Sequence, residues 1–221
     1  MDYIVQAIPD FLVGALNTLI YCVVSFPLAL LLGLLLALMS GSPFLWLKTP
    51  ARIFIEVIRS TPILTQLFLL YYGVGGVLVV FDLAKYDNSW VAGITALALN
   101  YAAYEAEVFR AGFLSVDPGQ SEAALSLGLT SGQSFFRIVF PQAIPLMIPP
   151  FVNDFIYMLK DSAVVSVISG TELTAVLGIW VSHHGSNPIP AYVLAIALYL
   201  VLSLPASYVS RRFEQRLRAA L

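Results

Sequence analysis

Long apolar runs separated by short polar segments make up most of this chain. About 20 apolar residues in an α-helix cross the ~30 Å hydrocarbon layer of a bilayer, and five runs meet that length. The pattern therefore predicts an all-α membrane protein with one transmembrane domain over residues 1–221. The predicted spans cover residues 11–39, 53–81, 90–110, 141–166 and 191–210.

The first apolar run is longer than a bilayer requires. As a helix, residues 11–39 would extend roughly 43 Å, so we expect a tilt or a kink, for which Pro27 is the candidate. No lysine or arginine precedes this run. A cleavable signal peptide has a basic start and a shorter apolar core, so we expect the run to be retained as a spanning helix.

One polar segment, residues 115–140, is longer than the others and is predicted to form a helical hairpin. The tripeptide Asp-Pro-Gly at 117–119 favours a turn. A helix is then expected, with Ser121 as its N-cap and Gly128 as its end. A second short helix is predicted over residues 131–140, where Pro141 interrupts it.

Charge is scarce and unevenly distributed. The chain is 59% hydrophobic and 11% charged, with a formal net charge of −2, so no basic field indicates a nucleic-acid partner. Most basic residues fall on one side of the predicted spans, and only Lys85 falls on the other. The positive-inside rule places the hairpin and the C-terminus in the cytoplasm and the N-terminus outside. The residues on the cytoplasmic side are Lys48, Arg52, Arg110, Arg137, Arg211, Arg212, Arg216 and Arg218.

The second predicted span begins with charged residues. Arg52, Glu56 and Arg59 are spaced four and three apart and share one helix face. We interpret them as a structural ion pair between Glu56 and an arginine near the cytoplasmic interface. Pro62 then marks a break that could line a pathway.

Polar residues also collect at the end of the third span, where two interpretations stay open. They form either a polar cap on the helix or a hinge that transmits movement of the hairpin. The residues are Tyr101, Tyr104, Glu105, Glu107 and Arg110.

Six polar residues lie between positions 153 and 162 of the fourth span: Asn153, Asp154, Tyr157, Lys160, Asp161 and Ser162. Asn153, Tyr157 and Lys160 form one stripe, and the two aspartates form a neighbouring stripe. Such a span cannot face lipid, so these groups face protein or a water-filled cavity. Lys160 with either aspartate offers both charges that a zwitterionic amino acid requires. Substrate contact and a structural buried network remain the alternatives.

The polar connection at residues 169–190 indicates no metal site. His183 and His184 are adjacent, and no cysteine or carboxylate nearby completes a ligand set, so we expect solvated loop residues. Trp180 is expected to anchor this loop at the outer membrane interface. The single cysteine, Cys22, cannot form an internal disulfide.

Short polar motifs punctuate the chain. They are Glu56…Arg59-Ser60-Thr61-Pro62-Ile63-Leu64, Ala103-Tyr104-Glu105-Ala106-Glu107…Arg110, Gly119-Gln120-Ser121-Glu122-Ala123-Ala124 with Gly128, Pro141-Gln142-Ala143 and Lys160-Asp161-Ser162. Together they resemble the permease subunits of ABC importers, in the branch that takes up polar amino acids. The resemblance covers most of the chain from Gly14 onward.

The resemblance implies a type I permease fold of five transmembrane helices with a cytoplasmic coupling loop at residues 115–140. It implies that Glu122 forms an ion pair with a basic residue of the ATPase, and that the fourth span lines the translocation path. The residues assigned to ATPase coupling are Gly119, Glu122, Ala123, Ala124, Gly128 and Pro141.

The implied partners are two ABC ATPases, a second permease subunit, identical or related, and a periplasmic or lipid-anchored substrate-binding protein. The implied setting is the bacterial cytoplasmic (inner) membrane and its lipid, and the implied cargo is a polar amino acid.

Known catalytic motifs are absent from the sequence. There is no G-x-x-x-x-G-K-[ST] phosphate loop, no H-E-x-x-H and no G-x-S-x-G. The prediction is a transporter subunit without a cofactor of its own, whose partner ATPase binds ATP and Mg. The alternative is a gradient-driven secondary amino-acid carrier with Lys160 and Asp161 as its relay, although such carriers have two related halves and no repeat is visible here.

Overall fold

The structure, a computed structural model, describes residues 2–74, 88–183 and 187–220, and the side chains of residues 4–74, 88–183 and 187–215. Several predictions fall outside this part of the chain: residues 75–81 of the second span, the turn at 82–87 with Lys85, His184, and the side chains of Arg216 and Arg218.

The described residues are helical almost throughout, as predicted. The helices are α1 (Asp2–Ser40), α2 (Leu45–Arg59), α3 (Ile63–Phe68, continued by a π-helical turn Leu69–Val74), α4 (Ser89–Leu114), α5 (Pro118–Ser126), α6 (Ser131–Ser134, continued by a π-helical turn Phe135–Val139), α7 (Phe140–Asp161, continued by a 3-10 helix Ser162–Ile168), α8 (Leu173–His183) and α9 (Ile189–Ala220).

Three described helices are long and apolar enough to cross a membrane: Ile4–Ser40, Ser131–Ile168 and Ile189–Gln215. A fourth is added if the bent pair of α2 and α3 counts as one span. The helix α4 has 26 residues but carries Glu105, Glu107 and Arg110. The count of five spans therefore stays a prediction.

The helix α1 runs without interruption through Pro9 and Pro27 and packs along α4. Their close approach depends on Gly33, where a Cβ atom would lie 2.7 Å from the Cβ of Glu105 and 3.1 Å from α4 backbone atoms. Tyr21 of α1 also stacks on Trp90 of α4, with ring centroids 4.2 Å apart. These two helices form the centre of the bundle.

The second predicted span, residues 53–81, is broken at the position predicted from Pro62, because α2 and α3 meet at 110°. Pro62 is extended (ψ 137°) and disfavours helical backbone at the preceding Thr61. The Gln66 side chain closes the bend by donating to the carbonyl oxygens of Ile58 (2.8 Å) and Thr61 (3.1 Å). The segment between the first two predicted spans, residues 40–52, is also mostly helix, since α2 begins at Leu45.

Pro141 does not end the second helix of the hairpin, contrary to prediction. Helix continues from Ser131 to Ile168. Pro141 has no N–H to donate, and a regular α-helix would place its ring against the carbonyl of residue 137. The π-helical turn before it widens the backbone, and the Phe140 N–H donates to Phe135, five residues earlier.

The predicted loop at residues 169–190 contains the helix α8. Glu172 caps it, because its carboxylate accepts from the N–H groups of Thr174 (2.7 Å) and Ala175 (2.7 Å). His183 is therefore the last residue of a helix rather than a loop residue. Trp180 packs inward and donates to the carboxylate of Asp10 at 3.0 Å, which fastens α8 to α1.

Candidate functional site

A cavity of about 390 Å³ lies where the α2–α3 bend faces α4 and α7. Its volume lies within the range of small-molecule sites, about 300–1,000 Å³. The lining residues are Thr61, Pro62, Ile63, Asn100, Tyr101, Tyr104, Asp154, Tyr157 and Asp161.

Long-range hydrogen bonds hold the cavity wall together. The Tyr101 hydroxyl on α4 donates to Asp161 on α7 at 2.8 Å. The Asn100 amide donates to the Gln66 side chain on α3 at 3.0 Å. Because Gln66 also bonds the backbone of the bend, the cavity and the bend form one connected unit.

The cavity wall is acidic and aromatic. Asp154 and Asp161 contribute carboxylates, three tyrosines contribute rings, and no lysine or arginine is among the lining residues. The Lys160 ammonium instead lies over the ring of Tyr157, 4.3 Å from its centroid. Among the described side chains, no ion pair joins Lys160 to Asp154 or Asp161.

The structure divides the six polar residues of the fourth predicted span. Asp154, Tyr157 and Asp161 line the cavity. Asn153 accepts a hydrogen bond from Ser210 of α9 at 3.4 Å. Ser162 is buried and donates to the carbonyl of Leu159 in its own helix at 2.9 Å. Only part of the predicted stripe therefore faces the cavity.

Several lining residues were not assigned to the path by the sequence interpretation. Asn100 lines the cavity and carries an amide within an apolar run. Its partner Gln66 also carries an amide within an apolar run but does not line the cavity. The argument applied to Asn153, that a polar group within a span faces protein or a water-filled cavity, applies equally to both. Tyr101 and Tyr104 were identified as polar residues at the end of a helix, and both line the cavity.

The predicted Glu56 ion pair is replaced by other contacts. Among the described side chains, the ion pair is Glu107 with Arg110, whose Nε lies 2.9 Å from the carboxylate. The Arg59 guanidinium lies over the Tyr104 ring, 5.5 Å from its centroid. The helix α2 turns away from α3 at the bend. Its charged face therefore lies against α4.

Glu105 occupies a different environment from its neighbours. It is fully buried, and neither carboxylate oxygen has a hydrogen-bond partner among the described residues. It lies against α1 at Gly33 rather than beside Tyr101.

The hairpin is formed by α5, a short turn and α6. Asp117, not the predicted Ser121, caps α5, since its carboxylate accepts from the Gly119 N–H at 2.7 Å. Pro118 occupies the first turn, where a missing N–H costs nothing. Gly128 ends the helix as predicted, with φ +86°, a conformation that favours glycine.

The surface of the hairpin mixes a carboxylate with apolar side chains. Glu122 and Ala123 are exposed, whereas Ala124 is buried against the hairpin. Leu127 at the turn is 82% exposed and Phe136 is 65% exposed. Exposed apolar side chains beside charged ones are typical of protein-binding surfaces.

No group of three or more His, Cys, Asp or Glu that could hold a metal ion occurs within residues 2–74, 88–183 and 187–220. The His183 ring nitrogen Nδ1 lies 2.8 Å from the carbonyl of Ile179 in its own helix. The buried Cys22 is a free thiol.

A family model described as "Binding-protein-dependent transport system inner membrane component" matches residues 29–219. The chain belongs to this family. Among curated relatives of this permease, the probable amino-acid ABC transporter permease protein y4tG of Sinorhizobium fredii is 34% identical, with 96% of this chain and 88% of the relative covered. The arginine transport system permease protein ArtQ of Bacillus subtilis is 33% identical over 97% and 95% of the two chains.

Solved structures agree with the family. An amino acid ABC transporter crystallised with histidines is 40% identical, covers 96% of each chain and superposes with a TM-score of 0.86. The MetNI methionine ABC transporter, at 18% identity and a TM-score of 0.74, covers 93% of this chain and 95% of its own, and shares the fold. The permease therefore has the type I importer fold.

Family membership decides between the two predicted transport mechanisms. These permeases are membrane subunits of ATP-driven importers, and ATP hydrolysis belongs to a separate subunit. The chain is accordingly an inner-membrane transporter component and not an enzyme. The alternative of a gradient-driven carrier is not supported.

Proposed function

We propose that this permease carries a polar amino acid through the cavity and couples to its ATPases through the hairpin. We place five spans at α1, a segment beginning with α3, α4, α7 and α9. The distribution of basic residues supports a cytoplasmic hairpin and C-terminus and an external N-terminus. The proposed assembly contains two ATPases that bind ATP and Mg, a second permease subunit, identical or related, and a periplasmic or lipid-anchored binding protein.

The exposed hairpin carries the coupling part of the proposal. A free segment gains nothing from exposing Leu127 and Phe136 to water, so these side chains support a partner that covers them. Glu122 lies on the same exposed hairpin, where it is suited to a basic residue of that partner. We assign the coupling surface to Gly119, Glu122, Ala123, Ala124 and Gly128, with Pro141 at the start of α7.

The lining of the cavity supports a ligand that carries positive charge. Asp154 and Asp161 supply two carboxylates, and neither is in an ion pair among the described side chains. Arg59 and Lys160 already lie over the rings of Tyr104 and Tyr157, so the positive charge of the ligand is inferred from the two carboxylates. We therefore propose that the substrate is an amino acid with a cationic side chain, in addition to its α-ammonium group. Asn153, Lys160 and Ser162 support the wall from behind.

Coupling is tested with Glu122→Ala in proteoliposomes that contain the complete transporter. We expect ATP-driven uptake to be lost and co-purification of the ATPase to weaken, while the protein remains in the membrane. Glu214→Ala removes a carboxylate outside the hairpin and serves as the matched control, with normal uptake expected. Normal uptake by Glu122→Ala would reject the coupling assignment.

Substrate charge is tested with Asp154→Asn, which keeps the size of the side chain. We expect ATPase stimulation by binding protein loaded with arginine or lysine to fall, because one carboxylate of the cavity is removed. Asn153→Asp adds a carboxylate beside the cavity and serves as the comparison variant. Equal stimulation of Asp154→Asn and the unmodified transporter would contradict a role for Asp154 in recognition.

A further inference from the structure

The helix α2 has three different faces. Ala51 and Ile55 are buried against the bundle. Lys48, Arg52, Glu56 and Arg59 follow one another at spacings of four, four and three, and form a charged face. A third face is apolar and exposed: Trp46 is 72%, Ile53 58% and Val57 53% exposed. We call Trp46, Ile53 and Val57 the apolar stripe.

The bend after α2 determines its direction relative to the membrane. The segment Ile63–Val74 leaves α2 at 110°. If that segment begins a span along the membrane normal, α2 lies only about 20° from the membrane plane, since 110° exceeds a right angle by that amount. The apolar helix α1 ends at Ser40, and four residues separate it from the start of α2 at Leu45. The helix α2 is therefore held close to the surface at which α1 leaves the membrane.

The charges and aromatic residues of α2 fit a phospholipid surface. Lys48, Arg52 and Arg59 outnumber the single acid Glu56, and cationic helices are attracted to anionic headgroups. Trp46 lies near the start of the helix beside Phe44, with ring centroids 6.4 Å apart. Aromatic side chains are enriched at the boundary between headgroups and acyl chains.

We propose that α2 is an interfacial helix whose apolar stripe is buried among the acyl chains of the cytoplasmic leaflet. Its charged face, which borders α4 where Arg59 lies over Tyr104, then lies at the level of the headgroups, and its buried face with Ala51 and Ile55 packs on α1 and α4. The assignment to the cytoplasmic leaflet rests on the orientation proposed above. The burial of the apolar stripe among acyl chains does not depend on that orientation. A membrane-anchored α2 would resist displacement of the bend that lines the cavity.

Spin labels on single cysteines test this in the complete transporter in phospholipid nanodiscs. Ile53→Cys and Val57→Cys place labels on the apolar stripe, and Arg52→Cys and Glu56→Cys place matched labels on the exposed charged face. A Cys22→Ala background removes the native thiol. Collision with oxygen reports lipid, and collision with a water-soluble nickel chelate reports water.

We expect labels at 53 and 57 to collide mainly with oxygen, at a depth of about 5–10 Å below the headgroups. Labels at 52 and 56 are expected to collide mainly with nickel. Low collision with both reagents at 53 and 57, together with spin–spin broadening, would assign the stripe to a second copy of the chain and overturn the proposal. Nickel accessibility at 53 and 57 would also overturn it, because the stripe would then face water.

The leaflet is tested separately with a membrane-impermeant maleimide on Arg52→Cys. Labelling in inside-out vesicles but not in right-side-out vesicles is expected. Labelling in right-side-out vesicles but not in inside-out vesicles, together with oxygen-accessible labels at 53 and 57, would reject both the cytoplasmic leaflet and the proposed orientation. The coupling assignment is decided separately, by the Glu122 variants. Each cysteine variant must keep ATP-driven uptake, which shows that the labelled protein is folded.

Discussion

The hairpin and the cavity are held by hydrogen bonds of very different sequence separation. In the hairpin, Asp117 bonds Gly119, and Thr130 and Gln133 bond each other, so partners are two or three residues apart. In the cavity, Tyr101 and Asp161 are 60 residues apart. The hairpin is thus determined by its own short sequence, whereas the cavity exists only after α3, α4 and α7 have packed.

This contrast separates two kinds of damage. A change in the hairpin should disturb coupling and leave the cavity intact, because the hydrogen bonds that shape the hairpin are local. A change in the bundle should lower the stability of the whole chain and alter substrate response together. The following variants test that separation, from the largest expected effect to the smallest.

Gly33→Ala is expected to destabilise the bundle most. Its Cβ would lie 2.7 Å from the Cβ of Glu105 and 3.1 Å from rigid backbone, and overpacking of this kind costs about 1–3 kcal/mol. Gly178→Ala on α8 is the control, since nothing lies within 4 Å of its Cβ and alanine favours helix by roughly 1 kcal/mol. Thermal unfolding in detergent should show a lower Tm for the first variant only.

Tyr101→Phe removes the hydroxyl that bonds Asp161, and hydrogen bonds to charged groups contribute about 1.5–3 kcal/mol. We expect a lower Tm and weaker substrate stimulation of the ATPase. Tyr199→Phe removes a hydroxyl that donates to the buried Glu172, away from the cavity. If both variants alter stimulation equally, Tyr101 has no specific role in the cavity.

Gly128→Ala should loosen the hairpin without affecting the bundle. Alanine at φ +86° costs roughly 1–2 kcal/mol, although nothing lies within 4 Å of the added atom. Faster hydrogen exchange in residues 118–134 and slower ATP-driven uptake are expected, with unchanged exchange in α4 and α7. Gly132→Ala, in helix and equally free of contacts, should leave both measurements unchanged.

Thr130→Ala has the smallest expected effect. It removes the hydroxyl that accepts from the Gln133 N–H, and loss of such a cap costs about 1 kcal/mol. Hydrogen exchange at Gln133 should accelerate, and Thr130→Ser should restore protection because the acceptor returns. Loss of protection in α7 as well would show that the hairpin and the bundle unfold as one unit.

Much of the fold could be predicted because its determinants are local or compositional. Apolar runs predicted the helices, the Asp-Pro-Gly turn and Gly128 predicted the hairpin, and Pro62 predicted a break. The errors are also local. Asp117, rather than Ser121, is the N-cap of α5. The π-helical turn before Pro141 allows the helix to continue through the proline, and an α-helical sequence pattern does not predict the hydrogen bonds of such a turn.

The sequence by itself determined the helical class, the membrane setting and the position of the hairpin, since these depend on hydrophobicity and on neighbours within a few residues. Only the tertiary structure decided that α2 turns by 110°, that Asn100 bonds Gln66 and that Asp154 and Asp161 share a cavity while Lys160 does not line it. Such pairings are set by helix rotation and packing distance, which contacts between residues far apart in the chain establish together.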